Sequence, residues 1–223
     1  MGKYNFNITG INPESTHGKI LSKIDPGTTV LECGCASGYM TKYLHEQMNC
    51  TVDIVEIDKE AYEKALQYAR NGANCDLDRL YWRESFDKER YDYILFADVL
   101  EHLTKPMKVL KAASDLLEPW GRIIVSIPNI CHNDILIRMF YNRFTYTGMG
   151  LLDSTHIHFW GLKDFEQQCR QIGLFTKETD YVYRKTGCTE QSAPVADVNP
   201  DLIELLKKRY FGEVYQYLFV CGK

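Results

Sequence analysis

The sequence predicts an α/β protein with a Rossmann-like, mostly parallel seven-stranded sheet, helices on both faces and an antiparallel C-terminal strand. Three observations carry this. Between Thr29 and Ile127, short β-rich runs alternate with stretches of helical periodicity, as parallel strands joined by crossover helices do. The run Val30-Leu31-Glu32-Cys33-Gly34-Cys35-Ala36-Ser37-Gly38 is an apolar stretch, an acid and two glycines. It reads as a strand that stops at a backbone-only turn and re-enters as a helix. Tyr91 to Ala97 is continuously apolar enough for a strand covered on both faces.

The elements follow in order. Residues 1 to 12 are polar with isolated aromatics, and Pro13 to Ile24 reads as a short helix closed by the turn Asp25-Pro26-Gly27. Thr29 to Glu32 is the first strand. The helix after it runs from about Gly38 to Met48, with Met40, Tyr43, Leu44 and Met48 at helical spacing. Thr51 to Ile57 is the second strand. Asp58 is placed to cap a helix from Lys59 to Arg70, with Asn71-Gly72 as its stop. Arg79 to Trp82 reads as a short third strand and Tyr91 to Ala97 as the fourth. Thr104 caps a helix that presents Met107, Leu110, Ser114 and Leu117 and ends at Glu118-Pro119-Trp120-Gly121, before a fifth strand from Arg122 to Ile127.

Beyond Asn129 the pattern changes. Asn133 to Tyr141 is a short apolar helix, and Asn142 to His158 is irregular and rich in Tyr, Phe, Gly, Asp and His; a loop of that length inside a compact domain is usually functional or mobile. Leu162, Phe165, Cys169 and Ile172 form a helical stripe stopped by Gly173, followed by a strand-like run from Leu174 to Tyr183. Arg184 to Val198 is polar and expected to be exposed. Asn199-Pro200 opens a helix with Lys207-Lys208-Arg209 near its C-terminal end and Gly212 as its stop. Val214 to Cys221 is a final, antiparallel edge strand.

A chain of 223 residues fits one domain over 1–223, with a cofactor-binding core at 13–130 and a cap loop, last strands and C-terminal helix at 131–223. A formal charge of −4 without a block of like charges argues against a nucleic-acid surface. The eight cysteines are scattered singly except for Cys33-x-Cys35, the usage of reduced, buried thiols. That spacing is wrong for a zinc pair and no second pair follows, so no metal is expected. The start lacks a signal-peptide core and no apolar run reaches the roughly 18 residues of a membrane span. The expectation is a cytoplasmic protein with a small-molecule acceptor and no membrane insertion; the sequence does not define its oligomeric state.

A dinucleotide site would want G-x-G-x-x-G. The Gly34 to Gly38 turn departs from that, and Glu32 beside it is unsuited to a pyrophosphate but suited to a ligand with a cationic amino-acid portion. Glu56, at the end of the second strand, stands where a carboxylate accepts the hydrogen bonds of ribose hydroxyls. Asp58 is its rival, with a ready alternative as a helix cap.

Taken with Val55-Glu56-Ile57-Asp58, Tyr91-Asp92-Tyr93-Ile94, Ala97-Asp98-Val99-Leu100-Glu101-His102-Leu103 and Trp120-Gly121-Arg122-Ile123-Ile124-Val125-Ser126-Ile127-Pro128-Asn129, the turn resembles the class I S-adenosylmethionine-dependent methyltransferases, in the family's order, over roughly residues 20 to 130. Ala36 stands where many members carry glycine. The segment Gly150-Leu151-Leu152-Asp153-Ser154-Thr155-His156-Ile157-His158-Phe159-Trp160 resembles the D-x-T-H-x-R-F-F segment of methyltransferases that often accompany polysaccharide and glycan biosynthesis, with His158 for the usual arginine and Trp160 for a phenylalanine.

The resemblance implies S-adenosylmethionine over the ends of strands one, two and four. Glu32 would position its ammonium, Gly34, Cys35, Ala36 and Gly38 would form the turn that admits it, and Glu56 would take the ribose. Ile57 would touch the adenine, Glu84 (rather than Arg83) would meet the adenine amino group, and Asp98 would lie beside the methionine portion. For transfer to a hydroxyl, an imidazole is matched to neutral pH. His102, His132, His156 and His158 are the candidates; His156 is preferred, with Asp153 to fix its tautomer and His158 beside it, and His102 is read as supporting the fold. The expected reaction is O-methylation of a sugar or glycan precursor. A quinone or other aromatic acceptor, a non-catalytic S-adenosylmethionine-binding protein and an NAD-linked oxidoreductase are the rivals.

Overall fold

A computed structural model describes residues 11–192 and 198–223. Strands β1 (Thr29–Cys33), β2 (Thr51–Glu56), β3 (Asn71–Asn74), β4 (Tyr91–Ala97), β5 (Leu117–Pro128), β6 (Phe175–Tyr183) and β7 (Val214–Gly222) form one seven-stranded sheet. The order is β3-β2-β1-β4-β5-β7-β6. The first five are mutually parallel, and β7 runs antiparallel to both β5 and β6. Helices α1 (Thr16–Leu21), α2 (Tyr39–Glu46), α3 (Lys59–Ala65), α4 (Pro106–Ser114), α5 (Asn133–Phe140), α6 (Leu162–Gln171) and α7 (Pro200–Lys207) complete it. The strand order reverses between β1 and β4, and in open α/β sheets the crevice at that reversal, outside the C-terminal strand ends, is where ligands bind.

Period-two alternation divides the core between the two faces of the sheet. Leu31, Cys33, Val55, Ile94 and Phe96 pack with Val109, Leu110, Phe165 and Cys169 of α4 and α6. Val30, Val52, Ile54, Leu95 and Ile124 pack with Ile20, Leu21, Met40 and Leu44 of α1 and α2. Removing this much apolar side chain from water is the main favourable term in folding.

Most predicted elements hold within a few residues; six readings do not. The third strand is Asn71–Asn74, read from sequence as a helix stop, and it pairs with Asp53 to Glu56 of β2. At Gly72 a Cβ would lie 2.8 Å from the side chains of Ile54 and Tyr62, so glycine here lets Tyr62 cover the strand. The predicted strand Arg79 to Trp82 is two 3₁₀ turns, Leu77–Arg79 and Tyr81–Phe86, joined by Leu80 at φ 60°.

Thr104 is not the cap of α4. The N-cap is Lys105, without a side-chain cap bond; the backbone N–H groups of Thr104 and Lys105, ahead of the helix, donate to the Asp78 carboxylate at 2.8 and 2.9 Å, so an acid distant in sequence fixes the entry to α4. The turn Glu118 to Gly121 is a register shift inside β5 rather than an end before it: Tyr91 pairs with Leu117 and Tyr93 with Arg122. The C-terminal strand β7 is antiparallel as expected but lies between β5 and β6, and β6 forms the edge.

The segment from Arg184, expected to be exposed, is partly interior. Thr189, Gln191 and Val198 are buried, because buried Asp134 accepts from the Gly187 and Thr189 N–H groups and the Thr189 hydroxyl. Residues 193–197 of that segment, and residues 1–10, lie outside the described residues. Among the described residues no helix is long and apolar enough to cross a membrane.

Candidate functional site

The turn after β1 closes on the chain's own packing. Gly34 and Gly38 hold φ of 75° and 78°. A Cβ at Gly34 would lie 2.6 Å from Val99 Cγ2, and at Gly38 2.5 Å from the Ala65 Cα. The glycines are therefore required by the positive φ of a sharp bend and by contact with Val99 and α3. Ala36 also has positive φ, 49°, which explains why glycine suits this position. Cys35 buries its side chain in the core, and burial pushes its thiol far up; what it presents to a ligand is backbone.

Three acids converge beside this turn. Glu32, 2% exposed, accepts from the Thr41 hydroxyl at 2.6 Å. Burial pushes its carboxyl up to about 8, the Thr41 bond opposes that rise and Glu56 adds to it. Glu56 accepts from the Ala36 N–H through Oε2 at 2.8 Å and from the Asp58 N–H through Oε1 at 2.9 Å. Each carboxylate oxygen keeps a second lone pair. Asp58 is the α3 cap, accepting from the Ala61 N–H at 2.8 Å. Ile57, just past Glu56, is 66% exposed, an apolar side chain left at the open end of β2.

Asp98, in the left-handed region at φ 54°, ends β4 in a network invisible in sequence. Its Oδ1 accepts from the Ser126 hydroxyl at 2.7 Å and from the Gln216 side-chain amide at 2.9 Å. The Gln216 carbonyl in turn accepts from the Thr16 hydroxyl. The His17 and Tyr39 rings meet edge to face at 4.7 Å. Burial, with Glu32 and Asp98 adding to it, pushes the Tyr39 phenol well up. Thr16, His17, Tyr39, Ser126 and Gln216 were missed because they come from four separate elements with no shared motif.

Glu84 is misplaced as an adenine contact. It is exposed on the turn Tyr81–Phe86. Its neighbour Ser85 takes a bond from Asn71 at the N-terminal start of β3, and Arg83 pairs with Asp115, just before β5 begins. Both contacts belong to the end of the sheet opposite the turn. Once β3 is correctly set, the acid just past its C-terminal end is Asp76.

The loop from Asn142 to His158 returns to the strand ends. Trp160 bridges to Asn129 at the end of β5, and the Ile157 and His158 N–H groups donate to the Glu101 carbonyl at 2.9 and 3.2 Å. This sets His156, 8% exposed, against the turn Leu100–His102. Its Nδ1 lies 3.4 Å from the Leu151 carbonyl, its Nε2 4.0 Å from Glu101 Oε1, and its ring 4.8 Å from that of His102. Burial, then His102, lower its pKa, so the ring is neutral at pH 7 and able to accept a proton. Asp153 staples the loop: its Oδ1 accepts from the Thr155 N–H and hydroxyl at 2.9 and 2.7 Å, whereas His156 Nδ1 faces Leu151. His158 stacks on Trp160 at 5.5 Å. His132 is structural, accepting from the Asp134 N–H and donating to the Arg184 carbonyl.

The acids at the turn and the apolar side chain of Ile57 form a donor set that fits S-adenosylmethionine, whose ammonium and ribose hydroxyls need acceptors and whose adenine needs an apolar face. The comparisons agree. A family model described as a methyltransferase domain matches residues 14–177. The chain is 24% identical over 157 residues to a ubiquinone biosynthesis O-methyltransferase of Hydrogenovibrio crunogenus, spanning 67% of this chain and 63% of that protein. Its fold resembles a SAM-dependent methyltransferase from Archaeoglobus fulgidus, with TM-score 0.63, 15% identity and coverage of 92% and 90% of the two chains. It also resembles the magnesium protoporphyrin IX methyltransferase of Synechocystis with bound SAH, with TM-score 0.58, 14% identity and coverage of 93% and 80%. The chain belongs to the S-adenosylmethionine-dependent methyltransferase domain family.

Proposed function

We propose that the protein O-methylates a small molecule carrying an aromatic hydroxyl. The observation that carries this is the position of His156. A nearly buried, neutral imidazole sits past the β4 end, and Phe159, 6.3 Å from its ring, joins it to Phe144 and Tyr146. Phe144 and Tyr146 are themselves exposed. Exposed aromatic faces are suited to stacking a planar acceptor, and the relative named above acts in ubiquinone biosynthesis. The sugar acceptor suggested by the Asp153 to Trp160 segment has no support from the relatives named above.

When bound, the cofactor supplies an electrophilic methyl group open to in-line displacement. In this reading Glu32 holds the ammonium, Glu56 accepts from the ribose hydroxyls, Ile57 covers the adenine and Asp98 borders the methionine portion. His156 serves the acceptor hydroxyl, which must lose its proton as the new bond forms.

The test is a thermal-shift series with S-adenosylmethionine, S-adenosylhomocysteine and NAD, followed by a methyl-transfer screen over catechols and phenols, free sugars and nucleotide sugars. Stabilisation by the first two and turnover of phenolic acceptors are expected. Turnover of sugars alone would overturn the aromatic reading. Stabilisation without any turnover would favour a non-catalytic binding protein, and preferential stabilisation by NAD would favour an oxidoreductase.

A further inference from the structure

Contrary to the expectation of no metal, we propose that Glu101, His102 and His156 bind a divalent transition-metal ion at the acceptor side of the site. Their ligand atoms all lie within 4.8 Å of one another. A tetrahedral zinc site with bonds of about 2.0–2.1 Å separates donors by roughly 3.3 Å, so an inward side-chain movement of about 1 Å closes the set.

Two features go beyond proximity. Glu101 is 1% exposed, and its Oε2 is buried without a hydrogen-bond partner; among the described residues no lysine or arginine pairs with it. A buried carboxylate left this way is costly unless a cation meets it. Both histidines are also oriented as ligands are. His102 Nδ1 lies 3.3 Å from the Thr155 carbonyl and 3.1 Å from its hydroxyl oxygen. The Thr155 hydroxyl proton is committed to Asp153, leaving that oxygen to accept. His156 Nδ1 faces the Leu151 carbonyl. A ring held through Nδ1 in this way has Nε2 left to ligate, the outer arrangement that fixes a ligating imidazole. Asp153, which accepts the Thr155 hydroxyl, thereby gains a role through Thr155.

Two imidazoles and one carboxylate with further positions open suit zinc, iron or cobalt better than magnesium. Where the methyltransferase reading holds, Glu101, His102 and His156 would hold the ion, which would supply a Lewis acid that lowers the pKa of an acceptor hydroxyl, and His156 would serve that hydroxyl through the ion. Ion binding does not depend on that reading.

The experiment therefore omits cofactor and acceptor. Chelator-stripped protein is titrated with Co²⁺ and Zn²⁺, with bound metal measured by emission spectrometry, Co²⁺ visible bands recorded and folding checked by circular dichroism. One equivalent is expected, with bands of nitrogen and oxygen ligation and no thiolate charge transfer. Glu101→Gln and His156→Ala are each expected to weaken binding at least tenfold, while His45→Ala, on exposed α2 surface, leaves it unchanged. Substoichiometric metal, thiolate bands, or binding that survives both site variants would overturn the proposal. Because Glu101→Gln is nearly isosteric, a folding defect confined to His156→Ala leaves the test intact. Failure of the acceptor screen with one ion bound would count against the proposed reaction and not against this site.

Discussion

Glu56 Oε2 accepts the backbone N–H of Ala36 at 2.8 Å, so the acid at the end of β2 holds the turn at the end of β1. One carboxylate thus fixes the turn and faces the ligand crevice. Glu56→Ala is expected to cost about 1–2 kcal/mol through two N–H groups left without it, a fall of roughly 2–4 °C in Tm per kcal/mol. S-adenosylmethionine affinity should fall at least tenfold in calorimetry. A lower Tm with unchanged affinity would make Glu56 structural only.

Ala36, at φ 49°, holds a left-handed conformation that costs an L-residue about 1–2 kcal/mol, partly balanced by the greater unfolded-state freedom of glycine. Ala36→Gly should raise stability by about 0.5–1 kcal/mol in denaturant unfolding. An unchanged or lower midpoint would mean that the Glu56 bond, and not glycine, suits this turn.

The Glu32 carboxyl, pushed up to about 8 by burial, has a folded pKa above its unfolded value of 4.5. Its contribution to stability is full below about 4.5 and is lost as pH rises towards 8, with a slope of at most about 1.4 kcal/mol per pH unit. Glu32→Gln should flatten that part of the apo protein's stability profile. Because a ligand ammonium favours the carboxylate, S-adenosylmethionine binding near pH 7 should release a proton, visible as a binding heat that varies with the buffer's ionisation heat. The same heat in every buffer would remove Glu32 from the ammonium site.

His156→Ala should lower turnover at least tenfold, about 1.4 kcal/mol of barrier, while leaving S-adenosylmethionine affinity near that of the unsubstituted protein. The side chain lies against Glu101 and His102 rather than the Glu32 to Gly38 turn. Unchanged turnover would exclude it from the chemistry.

The sequence by itself determined the βαβ core. Continuous apolar runs, an acid followed by glycines and the Asp58 cap are local signals, each set by backbone conformation and burial within one element. They also place Glu32, Glu56 and Asp98 at the C-terminal ends of β1, β2 and β4, where the proposed cofactor roles put them. Reading failed where a partner distant in sequence overrode local preference. Asn71-Gly72 carries the composition of a helix stop, yet β2 offers it a ladder and Tyr62 covers it; placing β3 wrongly then carried Glu84 to the wrong end of the sheet. Thr104 has the chemistry of a cap, but the N-cap falls one residue later, at Lys105, where Asp78 holds the entering backbone. The sequence singled out His156, but its neighbours were decided by tertiary structure. Glu101 and His156 stand 55 positions apart in the chain and meet only because the loop's N–H groups bond to the Glu101 carbonyl. Local periodicity cannot encode such a closure; it is set by long-range hydrogen bonds and by the burial they complete.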